Sequence, residues 1–229
     1  MTIADNLLRY KNELDADQVQ LVAVSKFHDA AAVMEAYNAG QRIFGENIVQ
    51  ELVEKQEQLP KDIEWHVIGH LQSNKVKYVA PFISLIESVD SIKLLQEIDK
   101  QAAKNKRVID CLLQVYIADE VTKFGLGFDE VIELLRSEEY AALKHIRITG
   151  LMGIATNTPT EKQISDEFEE LKVFFDGVKT SFFRKDDAFS VCSMGMSSDY
   201  KLAVEAGSTM VRIGSAIFGK RKIKHPKAE

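Results

Sequence analysis

Short apolar runs alternate along the chain with longer stretches in which apolar residues recur at helical spacing. Eight runs stand out: QLVAVS from Gln20, RIFG from Arg42, EWHVIG from Glu64, SLIESV from Ser84, IDCLLQVYI from Ile109, RITGLMGI from Arg147, AFSVCSM from Ala188 and TMVRIG from Thr209. Each is short and rich in β-branched or aromatic residues, the composition of strands. Between them lie helix signals: Ser73 ahead of NKVKYVA with Pro81 as the stop, Ser91 ahead of IKLLQEIDKQAAK, and Thr160 ahead of the segment carrying Ile164, Phe168, Leu171 and Phe175. Gly40 and Gly207 fall where helices should end. Such alternation predicts a parallel sheet with crossover helices. Eight strands, each followed by a helix or a tail, close most economically as an α/β fold of the (β/α)8 TIM-barrel type, with an open doubly wound sheet as the alternative.

Composition narrows the picture. A chain of 229 residues that is 45% hydrophobic with four prolines buries one substantial core and leaves little for a second. One domain over residues 1–229 is expected, its basic end KRKIKHPKAE forming a solvated tail from about residue 220. The opening segment MTIADNLLRYKNELD sets Ile3, Leu7, Leu8 and Leu14 at a helical period interrupted by charges, unlike a signal-peptide core. No stretch approaches the roughly 20 apolar residues of a membrane span. With 29 basic and 35 acidic residues the formal charge is −6, which disfavours nucleic acid as a partner. Cys111 and Cys192 sit inside apolar runs as small buried hydrophobes, without metal or disulfide spacing. A cytoplasmic protein, monomer or weak dimer, is expected.

In a barrel, polar residues at the C-terminal ends of strands face the mouth where active sites form. Lys26 directly follows LVAV, so its stem meets apolar walls and its amine is suited to carbonyl attack as a Schiff-base lysine. The alternative is a solvated lysine at a strand end. After the seventh run, Ser193 to Asp199 in SMGMSSDY put small residues at a strand-to-helix junction, where backbone N–H groups suit an anion. Simple helix capping by Ser197 or Ser198 is the competing explanation. Gly214 and Ser215 follow the eighth run, and barrel phosphate sites are often built from these two loops. Arg212, two residues before Gly214, points inward and needs an acceptor. A pyridine nitrogen and an ion pair with Glu46 or Glu87 serve equally well. His66 and His70 read as strand and loop and do not converge on a metal; His66 reads as a packed or hydrogen-bonded core residue. No serine has the surroundings of a hydrolytic nucleophile.

The series LVAVSK, FGENIVQE, WHVIGHLQSNK, KFGL, GLMGI, MGMSSDY and GSTMVRIGSAIFG resembles, in order and spacing over nearly the whole chain, the pyridoxal phosphate (PLP) homeostasis proteins, single-domain relatives of the alanine racemase barrel. The resemblance implies PLP as cofactor, held by Lys26 as an internal aldimine. It implies phosphate loops containing Ser193, Met196, Ser197, Gly214 and Ser215, with Asn47 near the ring and Arg212 at the ring nitrogen. Lys123 matches a lysine for which cofactor transfer or a secondary contact is implied. Many bacterial members read S-K-T-K after the first strand, whereas this chain reads Ser25-Lys26-Phe27-His28; a role for the second lysine falls away here.

The resemblance implies a PLP carrier or regulator for which no turnover is required, buffering PLP in vitamin B6 homeostasis or delivering it to PLP-dependent apoenzymes. A weak amino-acid racemase is the alternative, although racemisation needs a proton carrier on each face of the substrate and only a short tail follows the eighth strand. A barrel enzyme acting on a sugar or nucleotide phosphate fits the anion loops but leaves Lys26 and Arg212 without a joint role.

Overall fold

The computed structural model describes residues 2–118 and 124–219. Its eight strands are β1 (Gln20–Val24), β2 (Ile43–Glu46), β3 (Glu64–Val67), β4 (Leu85–Val89), β5 (Ile109–Tyr116), β6 (Ile146–Ile154), β7 (Val191–Met196) and β8 (Met210–Ile213). They form a closed barrel in chain order, and β1 returns to pair in parallel with β8 through Gln20 opposite Met210 and Val22 opposite Arg212. The (β/α)8 barrel is therefore the observed architecture.

Helices α1 (Ile3–Ala16), α2 (Ala30–Asn38), α3 (Val49–Gln58), α4 (Val76–Val79), α5 (Ile92–Lys104), α6 (Phe128–Arg136), α7 (Glu138–Ala141), α8 (Glu161–Phe182), α9 (Tyr200–Glu205) and α10 (Ser215–Phe218) surround it. Side chains alternate across each strand. Phe44, Trp65, Ile86, Leu113, Leu151 and Val211 pack outward among buried helix residues, while Val22, Leu85, Leu112, Met152 and Met210 fill the barrel interior. Continuing that alternation up the strands brings Glu87, Gln114 and Arg212 above Leu85, Leu112 and Met210, so a polar layer lies over the apolar one.

Local signals behave unevenly. Ser91 caps α5, its hydroxyl accepting from the Leu94 N–H at 3.3 Å, and Leu94, Leu95, Ile98 and Ala102 form the buried stripe of that helix. Ser73 does not precede a helix: it is the first residue of a 3-10 turn, Ser73–Lys75, that runs into α4. Thr160 stands at the start of α8 without a side-chain cap bond. Gly40 and Gly207 follow α2 and α9 at φ +94° and +93°, a conformation that favours glycine. In α1, Leu7 and Leu14 are buried with Tyr10, whereas Leu8 is 47% exposed and lies off the apolar stripe. The seventh strand begins later than expected, at Val191, because Phe189 is committed to the helix layer, its ring stacked on Phe175 and Phe183. Cys111 and Cys192 are free and fully buried, and burial raises both thiols, Cys192 to about 12. No described helix is long and apolar enough to cross a membrane.

Gly150 marks the tightest approach between β6 and β7. A Cβ there would lie 1.7 Å from the Val191 carbonyl oxygen, so Gly150→Ala should cost about 3 kcal/mol or more. Gly177, exposed within α8, would meet nothing within 4 Å; Gly177→Ala should stabilise by about 0.5–1 kcal/mol. Urea midpoints moving in opposite directions would verify the pair.

Candidate functional site: a polar barrel mouth

The turn after β1 is held from below. The Ser25 hydroxyl donates to Glu46 at 2.6 Å, and the Lys55 ammonium, reaching from α3, donates to the same Glu46 oxygen at 2.6 Å and to the Ser25 carbonyl at 2.8 Å. The Phe27 N–H donates to Glu51 at 3.0 Å, with Phe27 in the left-handed region at φ +67°, a strained setting for a bulky residue. The His28 N–H closes the turn on the Ser25 carbonyl at 3.1 Å, and its ring stacks on Phe218 of α10. Half-buried Lys26 thus leaves a backbone anchored on both sides. Burial raises the Glu46 carboxyl, with Lys55 and Ser25 opposing.

Inside the barrel, Arg212 is 4% exposed. Its Nη1 donates to the Ser193 hydroxyl at 2.5 Å and its Nη2 to the Gly153 carbonyl at 2.8 Å. Glu87 lies 3.8 Å from Nη1, accepts the Ser193 hydroxyl at 2.6 Å and meets His66 Nδ1 at 2.8 Å. Of the two carboxylates considered for Arg212, the partner is therefore Glu87; Glu46 faces α3. Burial works to raise the Glu87 carboxyl, yet His66, Arg212 and Ser193 together hold it below the ordinary value. Burial also lowers Arg212, against the pull of Glu87. Ser193, expected in the loop after the seventh strand, is an interior residue of β7 with its hydroxyl committed to this network.

The two expected anion loops do meet. The Gly214 N–H donates to the Ser197 hydroxyl at 3.2 Å, and a Cβ on Gly214 would press on Val24 of β1 at 3.1–3.2 Å. Asp199, rather than Ser197 or Ser198, is the residue preceding α9, and its carboxylate accepts the Met196 N–H at 2.5 Å. Met196 thus contributes an exposed side chain at the rim while its N–H is engaged. Ser215 is exposed at the start of α10. Asn47 follows β2 and lies against Gly69, where a Cβ would come within 2.8 Å of its Nδ2; its Oδ1 is buried without a hydrogen-bond partner. A cleft of about 850 Å³ opens beside these loops, lined by Tyr116, Thr156, Asn157, Met196, Ser198 and Lys201 among others. Lys123 and the basic tail lie outside the described residues.

Residues 1–222 match the family model described as alanine racemase, N-terminal domain. The pyridoxal phosphate homeostasis protein of Schizosaccharomyces pombe is 40% identical over 210 residues, spanning 91% of this chain and 86% of that protein. The chain belongs to the pyridoxal phosphate homeostasis protein family. Its Escherichia coli member is 38% identical over 235 residues, with 96% and 97% of the two chains covered. Among solved structures, PipY of Synechococcus elongatus with PLP bound superposes at TM-score 0.85 and 36% identity, over 95% of this chain and all of that one. Alanine racemase from Bartonella henselae shares the barrel at TM-score 0.68 and 14% identity; this chain spans 62% of its length.

Sequence reasoning passed over Lys55, an apparent surface helix cation, and the Gly153 carbonyl, a backbone group without a sequence signature. Lys55→Met would leave Glu46 buried beside no cation, at a cost of about 3–5 kcal/mol. The carboxyl, already raised, would rise further, so the deficit should grow as pH climbs out of the carboxylate range and shrink as acid protonates Glu46. Chemical denaturation of both proteins from pH 4 to pH 8 measures this.

Proposed function

We propose that this chain, a single barrel domain over residues 1–229, binds PLP at the barrel mouth and serves vitamin B6 homeostasis by buffering the cofactor and delivering it to PLP-dependent apoenzymes in the cytoplasm. The observation that carries the reading is the convergence of a braced lysine, a buried arginine and two joined anion loops on one end of the barrel, within a family whose relative PipY has been solved with PLP bound.

The donor set fits the cofactor. Arg212 has five N–H donors, of which the contacts described use two, leaving donors for a ring nitrogen. A permanent cation at that nitrogen keeps it unprotonated. Ser197, Gly214 and Ser215 would hold the phosphate where α10 begins, with Met196 packing at the rim. Asn47 brings an unsatisfied buried oxygen to the ring. Ser193 supports Arg212 instead of facing the ligand. When bound, PLP supplies an electrophilic aldehyde for reversible covalent attachment. Lys26 is the attachment point, and the clamps on Ser25, Phe27 and His28 fix the backbone from which it projects. A transfer role for Lys123 remains part of this proposal.

Wild type mixed with PLP and then dialysed should keep a visible absorption band, and Lys26→Ala should lose both the band and most of the retained cofactor. Retention by Lys26→Ala with an unchanged spectrum would overturn the assignment. An amino-acid enantiomer assay on the same samples should show no Lys26-dependent conversion; rapid conversion would establish a racemase instead.

A further inference from the structure

Beneath the mouth, four side chains from four strands form one buried hydrogen-bonded line: His66 on β3, Glu87 on β4, Ser193 on β7 and Arg212 on β8. Both Glu87 oxygens are occupied, Oε1 by His66 and Oε2 by Ser193, so the carboxylate is held at two points. We propose that His66 and Glu87 are positioning residues that hold Arg212 in place and balance its charge for the cofactor ring nitrogen, an inference that rests on the PLP reading above.

The chemistry follows from the order of the groups. Ser193 has one proton and donates it to Glu87, so its oxygen is turned to accept from Arg212. An ionised Glu87 accepts at both oxygens at once and supplies Arg212 with a counter-charge. A protonated Glu87 removes the counter-charge of a guanidinium that has left water, and such a buried cation is costly. Paired, Arg212 offers a hydrogen bond to the ring without adding a full net charge to the barrel interior. His66 keeps Glu87 ionised: its hydrogen bond is the largest influence opposing burial at that carboxyl.

The surrounding charges are few. His66 lines a cavity of about 310 Å³ at the base of the barrel with Glu64, Asp110 and Arg147, the last two paired at 2.8 Å. Asp199 and Cys192 are the other titratable groups that act on Arg212. Of all these, Glu87 alone touches both His66 and the Ser193–Arg212 pair among the contacts described.

The test compares wild type, His66→Gln, Glu87→Gln and the double variant, each checked for folding by circular dichroism. PLP dissociation constants are measured from pH 5 to pH 9. With His66 removed, Glu87 should take up its proton at higher pH, moving the acid limb of binding upward: affinity about tenfold weaker near pH 6 and within about twofold of wild type near pH 8. Glu87→Gln should be weak throughout with this acid limb absent, and the double variant should match it, because His66 acts only through Glu87. An unmoved acid limb in His66→Gln, or additive losses in the double variant, would refute the assignment. If Glu87→Gln does not fold, the pH profile of His66→Gln decides. In parallel, nitrogen-15 NMR of cofactor-free protein should show the Arg212 guanidinium protons exchanging slowly in wild type and at least about tenfold faster in Glu87→Gln. Equal exchange rates would refute positioning even if PLP bound; failure of wild type to bind PLP, with the exchange difference present, would instead refute the functional reading alone.

Discussion

A guanidinium cannot be carried into a protein interior without an answer for its charge. Arg212 sits where eight strands converge, and the barrel can close around it only because β4 supplies Glu87, β7 supplies Ser193 and β6 turns a carbonyl towards it. Those three contributions come from separate strands, so the register of half the barrel is tied to one side chain. A slip of one residue in β4 or β7 would carry Glu87 or Ser193 to the outer face. The polar layer therefore constrains the fold as well as the site.

A second network performs the same service on the other side of the sheet. Ser25, Glu46 and Lys55 lie between the barrel and α3, and their bonds end on the backbone just before Lys26. One buried cation thus works inside the barrel and another outside it, each paired with a carboxylate, each bearing on a different part of the proposed site. These two networks brace the backbone before Lys26 and hold Arg212 in the barrel interior. Beside it, the cleft towards Tyr116 and Asn157 leaves open space.

Much of this was legible in the chain. Strands announced themselves as apolar runs because a parallel barrel buries both faces of each strand, and the placement of Lys26, Gly214 and Ser215 at the barrel mouth followed from the rule that barrel mouths gather strand C-termini. Ser193 was misplaced because the run AFSVCSM serves two layers: Phe189 belongs to the helices, which delays the strand. The partner of Arg212 was narrowed to two carboxylates and no further, since Ser193 and Glu87 are 106 residues apart and only closure decides which strands face each other. Lys55 gave no warning, because a lysine on an amphipathic helix looks solvated until the sheet beneath it is known.

The seam of the barrel has a temporal consequence. β1 is completed only by β8, Asn6 of α1 donates to the Ile217 carbonyl of α10 at 3.2 Å, and His28 stacks on Phe218. Contacts of such long sequence separation form late and slowly. On a ribosome Lys26 emerges well before the loops around Ser197 and Gly214, so on the proposed reading a nascent chain displays its amine before it has the means to choose what that amine holds. On the proposed reading, selectivity for a phosphorylated aldehyde is a property of the closed barrel, acquired when β8 pairs with β1.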